Sequence, residues 1–232
     1  MLPRVLALLL IVALLLPAGR ALASELALRV VGNASDPASG ELLYREYHYC
    51  SRDGQRCVVE YREGDSELIA LKHLDYTGNP IGPALSVRDF RRDTRHSIDY
   101  PAREDLVVDA GFDNFVRSRW QSLVDGEEVV FPFQVVGLDR PLDMSGRSVP
   151  DDCDEQTLCL EIKVDSWFLG LLAEPIYLAY DRADRSLLRF TGVSNLRNAD
   201  GDSQDVDIYY HYGAQQAMAL NIPATRSETA DI

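Results

Sequence analysis

Positive charge is scarce in this 232-residue chain: 23 Lys and Arg stand against 37 Asp and Glu, leaving a formal charge of −14 at pH 7. Only Lys72 and Lys163 are lysines. So acidic a surface repels nucleic acid and anionic lipid headgroups at long range, which excludes nucleic acid as a partner. Chemistry-bearing motifs are equally sparse. No Gly-x-Ser-x-Gly nucleophile elbow and no glycine-rich phosphate loop is present. Of His48, His73, His96 and His211, none has a second histidine two to four residues on, so there is no local zinc motif. No catalytic residue, metal ligand set or cofactor site can be named, and the expectation is a non-enzymatic protein without a cofactor.

Long apolar runs are also missing, with one exception. Arg4 precedes an uncharged stretch, LALLLIVALLL, and Pro17, Gly19 and Ala21-Leu22-Ala23 follow it. A charged start, an apolar centre and an A-x-A end form a secretory signal. The run from Val5 to Leu16 has 12 residues, short of the roughly 20 needed to span a bilayer. Cleavage after Ala23 is expected, giving a periplasmic protein that is not integral to the membrane. The expected organisation is a signal at 1–23, one β-rich domain at 24–212, and a partly disordered tail at 213–232.

Cysteine is limited to Cys50, Cys57, Cys153 and Cys159. An even number in an exported chain favours disulfides, and four cysteines allow three pairings. Local pairing is expected, Cys50 with Cys57 and Cys153 with Cys159. The C-x6-C and C-x5-C spacings do not match the usual zinc spacing.

What the sequence does hold is strand. ELLYREYHYC and CVVEYREG are rich in Tyr and Val and flank Asp53-Gly54, a hairpin signal. ELIALKHLDY continues a meander, and ALSVRDF, HSIDY, DLVVDA, EEVVFPFQVVGL, LCLEIKV, PIYLAYD, SLLRFTGV and DVDIYYHY read as further strands. Close spacing of many short strands predicts a mainly β fold, a curved antiparallel sheet forming a barrel or half-barrel. One segment differs. Phe112, Phe115, Val116, Trp120, Leu123 and Val124 recur at intervals of three and four, ahead of Gly126. That pattern predicts one amphipathic helix at about 112–124, covering the sheet's apolar face.

Pairing Cys50 opposite Cys57 sets His48 against Val59 and Glu46 against Tyr61, with Arg45, Tyr47, Glu60 and Arg62 on the other face. Such mixed faces suit either a semi-polar cavity wall or a surface sheet. In DVDIYYHY, Asp205, Asp207, Tyr209 and His211 share one face, and Val206, Ile208, Tyr210 and Tyr212 the other. The first set reads as a solvated edge rather than a metal site. Asn198, Asp200, Asp202 and Asp205 have calcium-like spacing, but Ser203 and Tyr209 depart from the EF-hand pattern, so a solvated turn is expected. Asn33-Ala34-Ser35 is a sequon, of consequence only in a eukaryotic secretory pathway.

Three stretches together, YREYHYC…DGQRCVVEYREG…LIALKHLDYTGNP, GFDNFVRSRWQSLVDGE and PIYLAYDRADRSLLRFTGVSNLRNADG…VDIYY, resemble an uncharacterised family of exported proteobacterial β-rich proteins. The family brings no activity with it. Its architecture is similar, at the level of fold, to periplasmic lipoprotein-carrier-type half-barrels. The PLDMSGRSVPDDCDE loop and the cysteine pairs read as local additions to that pattern. The function expected from these features is enclosure of a lipid or other hydrophobic small molecule between a concave sheet and the helix. Phe112, Phe115, Val116 and Trp120 are the candidate ligand-binding residues, with Trp167, Phe168 and Leu169 at the mouth. The alternatives are an envelope protein that contacts another envelope protein, and a hydrolase whose site is not legible in sequence.

Overall fold

Alternation of branched or aromatic residues with polar ones makes strands along most of the chain. A computed structural model describes residues 25–64, 66–149, 153–165, 174–213 and 225–227. The expected leader and the segment holding Trp167, Phe168 and Leu169 lie outside the described residues. The first six strands are β1 (Glu25–Ser35), β2 (Leu42–Cys50), β3 (Arg56–Glu63), β4 (Glu67–Asp75), β5 (Ala84–Asp89) and β6 (Thr94–Ile98). The short β7 (Val107–Val108) leads into α1 (Gly111–Ser118) and α2 (Trp120–Val124). Then come β8 (Val129–Gln134), β9 (Leu142–Ser148), β10 (Thr157–Val164), β11 (Ile176–Asp181), β12 (Leu187–Val193), β13 (Asp205–Tyr212) and β14 (Thr225–Ser227).

These strands join into one mainly antiparallel curved sheet in the order β6-β5-β4-β3-β2-β1-β13-β12-β11-β10-β9-β8-β7, with β14 also on β1. The only parallel pairing among the described residues is β7 with β8. Strands β6 and β7 end the order without pairing each other, so the sheet is unclosed. The first hairpin has the expected register: Cys50 opposite Cys57, His48 opposite Val59, and Glu46 opposite Tyr61.

Two features depart from the sequence reading. Strands β1 and β9 were not foreseen, nor was the short β14 in the tail expected to be partly disordered, and β9 runs through the PLDMSGRS stretch read as a loop. Ser145 and Gly146 are poor strand formers in isolation, but β9 is paired on both sides by β8 and β10, and that pairing outweighs local propensity. The expected single helix is instead two. It breaks at Arg119, whose φ of −103° and ψ of 12° are not helical. The Ser118 hydroxyl donates to the Phe115 carbonyl at 2.7 Å, and the Arg119 N–H is shared between the Phe115 and Val116 carbonyls. This side-chain competition for a backbone acceptor bends the turn.

Gly126 ends α2 as expected, at φ 82° with its N–H on the Leu123 carbonyl. The start of α1 is held close to the chain before β5, because a Cβ at Gly111 would overlap the Ile81 carbonyl.

Three apolar clusters bury the two faces. One gathers Tyr44, Val59, Tyr61, Leu74, Val206 and Ile208 inside the curve. A second packs Phe115, Val116, Trp120 and Leu123 against Phe131, Leu158, Leu160, Leu178 and Tyr180. Residues that alternate with the inward set (Leu26, Leu28, Val31, Tyr47, Tyr49, Val58 and Leu71) form the third. The outer face of the first hairpin is therefore partly buried, not simply wet. Both local disulfides are formed, Cys50–Cys57 and Cys153–Cys159. Among the described residues no helix is long and apolar enough to cross a membrane.

Candidate functional site

Because the sheet curves and does not close, its inward face and α1 enclose a cavity of about 610 Å³. One wall is apolar: Phe131 and Phe133 of β8, Leu142 and Met144 of β9, Ile162 and Val164 of β10, Ile176 and Leu178 of β11, and Phe190 of β12. Helix α1 adds Phe112, whose ring lies 5.6 Å from Phe131 and 5.9 Å from Phe133. The Cys50–Cys57 bridge is part of the opposite wall.

That opposite wall is aromatic and polar. Strand register sets Tyr61, Glu46, Gly32 and Tyr210 in one row across β3, β2, β1 and β13. Gly32 is the residue that makes the row close: a Cβ there would meet Tyr210 Cε1 at 2.9 Å. Without it the Tyr210 ring lies down across β1, and its hydroxyl reaches the Glu46 carboxylate at 3.4 Å. His48 Nε2 is 3.0 Å from the same oxygen, Oε2. The Glu46 side chain is only 6% exposed. Burial, and next the Glu46 charge, push the phenols of Tyr44, Tyr61 and Tyr210 well above their ordinary range, so all three stay protonated. Tyr44 also hydrogen-bonds the Ser194 hydroxyl at 2.8 Å.

Two further charged pairs reach the interior. Lys72 Nζ donates to both Asp109 oxygens at 2.7 and 3.0 Å, with side chains 3% and 8% exposed. Arg117 pairs with Asp113 across one turn of α1. The Asp113 carboxyl is pushed up by burial, against the opposing pull of Arg117. Its side chain nonetheless keeps 36% of its surface open, and as a lining residue that opening is toward the cavity. The Tyr180 hydroxyl of β11 is the polar neighbour of the Asp113 carboxyl in the cavity lining.

Of the candidate ligand-binding residues, Phe112 lines the cavity, while Phe115, Val116 and Trp120 are buried in the helix-side core behind it. Trp167 and Phe168 lie outside the described residues. The Glu46–Gly32–Tyr210 row was missed, because it exists only once β1 is placed between β2 and β13. Half of it was visible in the hairpin register that faces Glu46 to Tyr61. The carboxylate of Asp207 is taken up by Arg189 at 2.6 and 2.7 Å. Asn198 closes its own loop by accepting the Asp202 N–H at 2.8 Å. Among the described residues no cluster of three or more His, Cys, Asp or Glu is arranged to hold a metal.

No known family model and no curated protein matches the chain. Two solved structures align over most of it. One, described as an outer membrane lipoprotein-sorting protein domain from Vibrio parahaemolyticus, is 8% identical over 90% of this chain and 87% of its own, with a TM-score of 0.29. The other, a LolA superfamily protein from Nitrosomonas europaea, is 12% identical over 85% of this chain and 91% of its own, with a TM-score of 0.27. At these scores neither carries weight, and the half-barrel rests on strand order alone.

Proposed function

We propose that this protein is exported to the periplasm and encloses an apolar or amphiphilic small molecule between its concave sheet and α1. The observation that supports this most is the cavity of about 610 Å³ with an apolar wall facing a polar, aromatic one. Ligand pockets typically have this size and this uneven chemistry. Each methylene of a bound chain that leaves water for the apolar wall contributes up to ~0.8 kcal/mol. Two short-range disulfides suit an oxidising compartment.

A hydrolase reading has less support. Ser194, the serine in the wall, is bonded to Tyr44, and His48 is bonded to Glu46, so nucleophile and base are not in contact.

The test is titration with N-phenyl-1-naphthylamine, which fluoresces on entering an apolar site. The protein is expected to take up one probe molecule, and Phe112→Ala to weaken uptake by about tenfold through loss of a wall-forming ring. No uptake by well-folded protein would overturn the proposal.

A further inference from the structure

The polar wall narrows the class of ligand. This inference rests on the enclosure reading above and adds the chemistry of the head group. Lys72 and Arg117 each face a carboxylate of their own, Asp109 and Asp113. Lys163 and Glu174, which also line the cavity, are solvent-exposed. Glu46 is different: it is buried, it borders the cavity, and its partners are a phenol at 3.4 Å and an imidazole at 3.0 Å. Neither is a permanent cation. A buried carboxylate without a full countercharge is costly, and a cation arriving beside it relieves that cost.

The surroundings of Glu46 suit a cation in a second way. Tyr61 and Tyr210 flank it in the cross-strand row, and Tyr44 stands two residues before it on the same face of β2. The Tyr44 and Tyr61 rings meet edge to face at 6.0 Å, and His48 meets Tyr210 the same way at 6.2 Å. Phenol rings attract a positively charged nitrogen through their quadrupoles, most strongly where water is excluded. An anionic head group placed here would face the Glu46 charge, and a neutral one would answer it with a hydrogen bond alone.

We infer that the ligand is a cationic amphiphile, its ammonium nitrogen seated at Glu46 among Tyr44, Tyr61 and Tyr210 and its chain along the Phe112–Phe131–Phe133 wall.

The test compares three probes with one ten-carbon chain, decyltrimethylammonium, decanol and decanoate, by calorimetry below their micellar concentrations. The cation is expected to bind at least about tenfold more tightly than the other two. Glu46→Gln is expected to erase that preference, and continued binding of decanol by the variant reports that its cavity is intact. Glu127→Gln, an exposed acid away from the cavity, controls for the chain's overall negative charge and is expected to keep the preference. Equal binding of all three probes, or a preference that survives Glu46→Gln, overturns the inference and leaves enclosure standing. Failure of every probe to bind overturns both.

Discussion

Gly32 has no functional group, yet it allows the polar wall to form. Its missing side chain gives Tyr210 the room to cross β1 and reach Glu46. Gly32→Ala pushes a methyl group against Tyr210 and Ile208, an overpacking expected to cost about 1–3 kcal/mol of stability in urea melts. The same variant should bind decyltrimethylammonium more weakly, because the displaced ring no longer flanks the carboxylate. Asp113 illustrates the opposite situation, a charge the fold opposes. Its carboxyl is raised above the ordinary 3.8 by burial, so its contribution to folding is fully present below that value and is lost as pH rises through the raised one. Asp113→Asn removes this loss. The variant's stability relative to the parent, from urea midpoints at several pH values, should therefore increase from acid toward neutral pH. A constant difference would show that burial does not disfavour the charged form.

The helical segment and the strands differ in how far sequence predicts them. The apolar stripe from Phe112 to Val124 identified a helix and its stop at Gly126, because periodicity and a left-handed glycine are local signals. The break at Arg119 was not legible, since it depends on the Ser118 hydroxyl binding the Phe115 carbonyl, an arrangement set by rotamer rather than by pattern. Ser118→Ala leaves that carbonyl to the Arg119 N–H alone and, by the better helix propensity of Ala, is expected to raise stability by about 0.5 kcal/mol in the same melts. Strands with strong alternation were found, as was the hairpin register that the cysteines pin. Strands β1 and β9 were not, because Gly32, Asn33, Ser145 and Gly146 form strand only through the partners on either side. Missing β1 also hid the site, as the row from Tyr61 to Tyr210 runs across it. Phe112 lines the cavity. Its neighbours Phe115, Val116 and Trp120 share its stripe but lie deeper, and a one-dimensional pattern does not separate core from cavity lining.

At the scale of the molecule, the unclosed sheet is what the function follows from. A sheet of this length must bury its concave face, and here side chains from α1, α2 and the strands fill only part of that space. What remains is an interior with one oily wall and one aromatic, acidic wall, suited to a molecule with two unlike ends. Charge acts at this scale too: the surface disfavours anionic membranes and nucleic acid, while the interior pairs Lys72 and Arg117 with carboxylates and leaves Glu46 to be matched from outside. The most direct measurement is mass spectrometry of an organic-solvent extract of the protein purified from the periplasm of a bacterial host. The account predicts a stoichiometric amphiphile carrying a positively charged nitrogen. A clean extract, from folded protein with both disulfides formed that also takes up no N-phenyl-1-naphthylamine, would contradict it.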